Sequence, residues 1–156
     1  MANPFPFVSG NVLEAAQLNG VGESATFTPS ISNLTLGNGI SEGRFVRVNK
    51  LVYFRVRIVF GSTTSVDAGA KDLTLPIVAT NATTFDGLHA MAHYFDTSAT
   101  LIVFNQPLIV IGDSSLRLGA ANVSGTYSAF NDLSSTVPFT WATGDGLTIT
   151  GTYQVA

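Results

Sequence analysis

The chain has 156 residues, of which only 11% are charged, whereas an average soluble domain has about 25%. Its length suits one domain, and its net charge of −3 lacks the positive excess that nucleic-acid binders carry. A hydrophobic content of 46% and a mean hydropathy of +0.34 leave too few charged side chains to cover the surface of a soluble monomer. We therefore expect other protein surfaces to cover part of this domain.

Membrane, secretion and disulfide features are missing from the sequence. The longest apolar stretches, residues 101–104 and 108–111, are far shorter than the roughly 20 residues of a transmembrane helix. The first residues contain neither a basic region nor a sustained apolar region, so we expect no secretory signal. Because the chain has no cysteine, it forms neither disulfides nor thiolate metal sites.

Residues 1–22 differ in pattern from the rest of the chain. Two prolines alternate with Phe5 and Phe7, which predicts an extended arm because proline favours β or polyproline geometry. Residues 11–20 then predict a short helix that an Asn-Gly pair ends. A helix of about two turns is unstable alone in water, so it needs a surface to lie on. The segment is either a docking arm or a helix that packs on its own domain.

From residue 23 onward the hydrophobic period becomes twofold, as in β-strands. The clearest example is residues 51–60, in which two sets of side chains alternate. The predicted core face consists of Val52, Phe54, Val56, Ile58 and Phe60. The opposite face consists of Leu51, Tyr53, Arg55, Arg57 and Val59. Residues 43–48 precede this strand across Asn49 and Lys50, a two-residue connection typical of a tight hairpin.

The rest of the chain continues as short strand segments separated by glycine, asparagine and aspartate turns. The predicted strands are residues 25–28, 31–36, 73–78, 88–95, 100–104, 108–111, 115–118, 137–141 and 147–155. Many short strands without a covering amphipathic helix predict an all-β fold, specifically an antiparallel β-sandwich or jelly roll. We therefore divide the chain into an N-terminal anchoring arm with a short helix, residues 1–22, and a jelly-roll-like knob domain, residues 23–156.

The predicted hairpin carries most of the basic residues of the chain. They are Arg44, Arg47, Lys50, Arg55 and Arg57. Arg55 and Arg57 share the outward face with Tyr53, a layout that fits an anionic glycan or a phosphate. The same side chains also fit the solvated or subunit-facing side of a strand. Because the total charge is negative, binding of double-stranded nucleic acid would lack the drive of counterion release.

No arrangement of residues predicts catalysis. His89 and His93 would lie about 6 Å apart on a helix, but about 13 Å apart on the strand that we predict, too far for one metal ion. Nucleophile-elbow, zinc-protease and phosphate-loop motifs are missing. Trp141 is interpreted as a core or interface residue. The aspartates in turn-like contexts are Asp86, Asp96, Asp113 and Asp145. We expect no enzyme activity, no cofactor and no metal site.

Residues 7–19 contain the sequence VLEAAQLN after an aromatic residue and small residues. This segment resembles a short N-terminal motif that recurs in virion appendage proteins of tailed bacteriophages. The remainder is similar to β-rich C-terminal domains of phage tail-fibre and minor tail proteins. The similar stretches are residues 25–29, 36–39, 43–48, 60–65, 73–76 and 138–145. Arm and β domain abut here without a long shaft, which favours a compact knob or a capsid decoration.

The resemblance implies a structural virion protein, assembled in the host cytoplasm, that forms a homotrimeric tail-associated appendage and contributes to host-surface attachment. Residues 1–22 would then bind other tail or capsid proteins. The predicted anchor residues are Phe5, Phe7, Val12, Leu13, Ala16 and Leu18. Three copies around an axis would bury outward strand faces, which stabilises the assembly by about 25 cal/mol per Å² of apolar area. The predicted subunit interface or surface-binding residues are Tyr53, Arg55, Arg57 and Val59.

Two alternatives remain beside this hypothesis. Within virion proteins, a capsid decoration or head-fibre protein would differ only in where the arm binds. A carbohydrate-binding β module is the alternative of another class, and it would use the Ser, Thr, Asn and aromatic residues of loops at residues 80–84 and 120–135. A host-surface glycan is therefore a further expected partner, whereas nucleic acid and membrane insertion are not expected.

Overall fold

A computed structural model of the chain describes residues 22–79, 88–106, 108–111, 114–122 and 125–155. The predicted N-terminal arm and helix, with all six anchor residues, lie outside these ranges, as does the predicted loop at residues 80–84. Within the described ranges there is no helix, and the paired strands are antiparallel. The predicted all-β fold is confirmed. None of the described segments is a helix with the length and apolar character needed to cross a membrane.

The described residues form twelve strands. They are β1 Ser24–Phe27, β2 Leu34–Thr35, β3 Ile40–Val48, β4 Leu51–Val59, β5 Ser65–Val66, β6 Asp72–Thr74, β7 Leu88–Asp96, β8 Leu101–Gln106, β9 Leu108–Ile111, β10 Ser115–Asn122, β11 Ala129–Asp132 and β12 Gly146–Gln154. A six-stranded sheet has the order β1-β3-β4-β12-β7-β8. In a second sheet β10 pairs with β6, β9 and β11, and β2 pairs separately with β5.

Strand β4 lies inside the six-stranded sheet and is buried on one face only. Val52, Phe54 and Val56 are fully buried, whereas Tyr53 and Arg55 between them are exposed. Successive side chains of a strand point to opposite faces, so one set enters the core and the other faces away from it. The predicted core face of this strand is therefore confirmed.

Both sheets contribute to one hydrophobic core. Leu116 and Leu118 of β10 belong to the same buried cluster as Phe54 of β4 and Ile149 of β12. Removing such apolar side chains from water stabilises the fold by about 25 cal/mol per Å². Apolar side chains from both sheets therefore share one buried cluster.

Two buried tyrosines add hydrogen bonds to this core. The Tyr94 hydroxyl donates to the Gly119 carbonyl oxygen at 2.7 Å, and the Tyr153 hydroxyl donates to the Ile77 carbonyl oxygen at 2.8 Å. Burial raises the pKa of Tyr94 well above its usual value and raises the pKa of Tyr153 to about 12. The unfolded chain releases these protons near pH 10, so this contribution to stability is present below about pH 10 and is lost as the pH rises further.

Strands β3 and β4 form the predicted hairpin. Val48 pairs with Leu51, so Asn49 and Lys50 make the two-residue connection. Asn49 has a φ of 55°, in the left-handed region that asparagine tolerates better than most residues. The hairpin prediction is confirmed.

Several strand limits differ from the sequence-based prediction. Only Leu34–Thr35 of the predicted strand 31–36 pairs as a strand, and β6 ends well before residue 78. Residues 137–141 do not form the predicted strand, because Val137 makes only an isolated bridge and the proline after it has no N–H to donate. The pattern does not predict β5 or β11, which have only two and four residues and therefore little alternation.

Gly151 lies where β12 passes closest to its neighbours. A Cβ atom there would be 2.7 Å from both Ala90 Cβ and Phe54 Cε1, and 2.8 Å from the His89 carbonyl oxygen. We predict that Gly151→Ala lowers the free energy of unfolding by about 1–3 kcal/mol, because overpacking forces these neighbours apart. Urea denaturation measures the change. Gly125→Ala is the matched control, since a Cβ there would be 3.5 Å from the nearest atom, and equal losses in both variants would contradict the prediction.

Candidate functional site

The four predicted surface residues of β4 share one side of the six-stranded sheet, the side that faces away from the core. We call this side the outer face. It is formed by the even-numbered residues of β3 and β12, the odd-numbered residues of β4 and β7, and Ile102 and Phe104 of β8. Tyr53, Arg55 and Arg57 are exposed on it, and Val59 is half-buried.

Three arginines and one glutamate line a cavity of about 130 Å³ in the middle of the outer face, which we call the arginine cavity. Arg57 donates a hydrogen bond to Glu42 at 3.3 Å, and both side chains are about half exposed. Arg44 and Arg55 are direct neighbours in the register of β3 and β4. Within the described residues, neither of these two has a hydrogen-bonding or ion-pair partner. The cavity therefore carries two uncompensated positive charges.

A shallow groove of about 390 Å³ lies beside the arginine cavity, and we call it the threonine groove. Thr150 and Thr152 of β12 line its floor, because Thr152 pairs with Tyr53 on one side and with His89 on the other. Tyr53 and the pair His89 and Met91 form the walls, and Tyr53 is 49% exposed. Short side chains between two rows of long ones create the depression. An aromatic ring beside hydroxyl groups suits a sugar, which has both apolar C–H faces and hydroxyls.

Both ends of the outer face are apolar. At one end, Ile40 pairs with Val59, and Ile102 lies on the same level at the far side of the sheet. At the other end, Val48 pairs with Leu51. We call these the Ile40 end and the Val48 end. The exposed fractions of Ile40 and Val48 are 46% and 44%, so two apolar regions flank a polar centre.

His89 and His93 both lie on β7, as the strand interpretation predicted. Four residues along a strand separate two side chains by about 13 Å. His93 meets Phe104 edge-on, with ring centroids 5.5 Å apart, whereas His89 lines the threonine groove. In the part of the chain that the structure describes, no group of three or more His, Asp or Glu side chains is placed to hold a metal ion.

Trp141 belongs to an aromatic cluster and packs against the core, as predicted. Its ring stacks on Phe60 at a centroid distance of 4.7 Å, and Phe139 lies 4.6 Å away. Tyr94 meets the same ring edge-on at 5.8 Å, and the indole N–H donates to the Ser134 carbonyl oxygen at 3.0 Å. Trp141 is therefore half-buried, and its remaining exposed part lines a cavity of about 250 Å³ with Ser62 and Ser135.

The described aspartates of the turn-like contexts act as turn residues. Asp145 is buried and accepts hydrogen bonds from two backbone N–H groups at 2.7 and 2.8 Å. The Ala99 N–H and the Ser98 hydroxyl bind Asp96 and hold the pKa of its carboxyl below the usual value. The other two aspartates, Asp86 and Asp113, lie outside the described residues.

Two further basic side chains are structural. The Lys71 ammonium is buried and donates to the carbonyl oxygens of Asp67 and Gly69 at 2.7 and 2.5 Å. Burial lowers the pKa of Lys71, while nearby carboxylates oppose the shift. Arg117 of β10 donates to Asp72 of β6 at 2.9 Å, and this hydrogen bond raises the pKa of Arg117. Neither residue is free to bind a ligand.

Sequence reasoning found only part of the outer face. It placed Tyr53, Arg55 and Arg57 outward, but it did not predict that Arg44 completes a cavity with them. It also missed the threonine groove. The sequence feature that could have indicated this groove is the alternation of threonines at residues 148–152.

The predicted carbohydrate-binding loop at residues 120–135 is partly strand, since β10 and β11 extend into it. No protein-family model, curated protein or solved structure matches the chain.

Arg44 and Arg55 lie opposite each other on paired strands, and replacing one of them tests the charge arrangement of the arginine cavity. We predict that Arg55→Gln leaves the free energy of unfolding within about 0.5 kcal/mol of the parent or raises it slightly, because like charges on opposed strand positions repel. Arg57→Gln, which removes the ion pair with Glu42, should lower it by up to about 1 kcal/mol. Urea denaturation at low and high salt measures both, and salt should reduce the difference. A loss above about 2 kcal/mol in Arg55→Gln would contradict this prediction.

Proposed function

We propose that this chain is a structural protein of a tailed-bacteriophage virion, a homotrimeric tail-associated appendage that helps the particle attach to the host surface. The observation that carries the proposal is the outer face, which has apolar ends, a polar centre and a single acidic side chain, Glu42, within its described strands. Contiguous apolar regions on a folded protein mark interaction surfaces. The resemblance of residues 7–19 and of the β domain to virion appendage proteins supports the same function.

We infer that the domain is a β-sandwich of the jelly-roll kind, since side chains from both sheets belong to one hydrophobic cluster. In a sandwich each sheet keeps one face for solvent or for partners. The outer face is that remaining face of the six-stranded sheet. It is therefore the surface on which neighbouring subunits and a host ligand would bind.

The predicted interface or surface-binding residues divide between these two roles. Val59 lies at the Ile40 end, whose uncharged apolar side chains suit contact with another copy of the chain. Tyr53 lines the threonine groove, whereas Arg55 and Arg57 line the arginine cavity, and such polar groups suit a ligand from outside. One end of β4 thus serves assembly and its middle serves attachment.

The first described residue, Gly22, lies at the opposite end of the outer face from the proposed subunit contact. A Cβ atom on Gly22, where the described chain begins, would lie 3.7 Å from Val46 and 3.8 Å from Val48, in ordinary van der Waals contact. Gly22 therefore lies beside the Val48 end, away from the proposed subunit contact at the Ile40 end.

Two other functions use the same surfaces. A capsid decoration or head-fibre protein would be present in hundreds of copies per particle and a tail tip in only a few, so quantitative mass spectrometry of purified virions distinguishes them. A carbohydrate-binding β module is favoured by the threonine groove, which combines the Tyr53 ring with two threonine hydroxyls. Sugar binding is also compatible with attachment by a tail appendage.

We predict that deletion of residues 1–22 leaves a folded trimer that no longer joins the virion, because β1 and all later strands are retained. Particles assembled with the truncated protein are purified and probed for it by immunoblotting. Gly125→Ala in the full-length chain is the control and should assemble normally, since its site is open. Incorporation of the truncated protein at the control level would show that the arm is not the anchor.

We predict that Ile40→Lys converts the trimer to a monomer, because a lysine at the proposed subunit contact buries an unpaired charge. Val48→Lys is the matched control, with an equally exposed apolar residue on the same strand at the opposite end. Light scattering at micromolar concentration measures both masses. A monomeric parent protein, or dissociation by Val48→Lys alone, would contradict the proposed contact.

A further inference from the structure

The centre of the outer face contains a concentration of positive charge that the other described residues do not neutralise. Three guanidinium groups and one carboxylate line the arginine cavity, in a chain whose net charge is −3. Glu42 pairs with Arg57, while Arg44 and Arg55 have no ion-pair partner within the described residues. Directly opposed like charges destabilise a sheet, so an anion between them would relieve an unfavourable contact.

The geometry of this cavity suits an oxyanion. Arg44 and Arg55 occupy paired positions on adjacent strands, which holds their Cβ atoms about 5 Å apart. A guanidinium presents a planar fork of N–H donors that matches two oxygens of one carboxylate or phosphate. The cavity volume of about 130 Å³ exceeds the roughly 30 Å³ of a water molecule, so a small anionic group fits between the two side chains.

The arginine cavity and the threonine groove are adjacent parts of one surface. Arg55 pairs with Thr150, which lines the floor of the groove, and Tyr53 lies two residues from Arg55 on the same face of β4. A ligand that places an anionic group against the arginines therefore extends over the Tyr53 ring and the threonine hydroxyls. Such a ligand carries both negative charge and hydroxyl-rich rings.

We propose that the outer face binds an acidic polysaccharide, with its carboxylate or phosphate group in the arginine cavity and a neighbouring sugar in the threonine groove. This inference rests on the proposed attachment function and names the chemistry of the surface polymer. Nucleic acid also carries phosphates, but its binding depends on many basic contacts along the backbone. Here Arg44 and Arg55 concentrate positive charge in one cavity of an acidic protein, without a row of such contacts along a backbone-sized groove among the described residues.

Titration of the full-length protein with defined probes tests this proposal. Calorimetry and the arginine side-chain NMR signals follow binding of trigalacturonate, glucose 1-phosphate, maltotriose, inorganic phosphate and a short single-stranded DNA. We predict that at least one acidic sugar binds about tenfold or more tightly than neutral maltotriose, and that added salt weakens this binding. Comparison of trigalacturonate with glucose 1-phosphate identifies whether the anionic group is a carboxylate or a phosphate.

Variants of the same surface assign the binding to its parts. Arg44→Gln and Arg55→Gln should each weaken binding of the acidic sugar about tenfold or more. Arg47→Gln is the matched control, because it makes the same charge change in the same hairpin. It should leave the affinity unchanged, since Arg47 already donates to the Asn49 carbonyl oxygen. Tyr53→Ala should weaken the acidic sugar several-fold without changing binding of inorganic phosphate.

Three results would overturn the proposal. They are no saturable binding of either acidic sugar, equal affinity in the parent and Arg55→Gln, and tighter binding of DNA than of both acidic sugars. Incorporation of the parent into virions is measured in parallel. If the parent joins the virion but binds no acidic sugar, this inference fails and the structural function stands. If the parent is absent from virions, the structural function fails whatever the arginine cavity binds.

Discussion

The pairing of β12 with both β4 and β7 is the interaction on which the two sides of the six-stranded sheet depend. It extends over nine paired positions with β4 and eight with β7. The same register that buries Ile149 and Tyr153 places Thr150 and Thr152 between Tyr53 and the β7 wall. A shift of the β12 register by one residue would exchange the side chains of its two faces. The buried core residues of β12 and the threonine groove therefore both depend on this one register.

The charges at the centre of the outer face limit what can cover it. Exposed arginines on paired positions repel only weakly, because water and salt screen them. Covering Arg44 and Arg55 with an apolar partner would remove that screening and bury two unpaired charges. A partner at the centre must therefore bring negative charge, whereas the apolar side chains around Ile40 and Val59 can be covered without it. In the proposed function, this difference separates the subunit contact from the attachment site on one sheet.

Part of this arrangement follows from local sequence. The alternation from Val52 to Phe60 predicts which side chains of β4 enter the core, because strand side chains alternate whatever the neighbouring strands are. The two-residue turn at Asn49 fixes the register of the hairpin, and with it the position of Arg44 beside Arg55. The segment around Pro138 has a hydrophobic pattern like a strand, but packing of Trp141 and Phe139 among core aromatics holds it in another conformation.

The sequence by itself determined the all-β class, the hairpin of β3 and β4 and the outward position of Tyr53, Arg55 and Arg57, since periodicity and turn chemistry act between residues close in the chain. Only the tertiary structure decided that β12 lies between β4 and β7. Several strands share the same alternation, so many strand orders satisfy the hydrophobic pattern equally well. Close packing selects one of them, and at Gly151 it leaves no room for a side chain. That selection creates the threonine groove and aligns it with the arginine cavity.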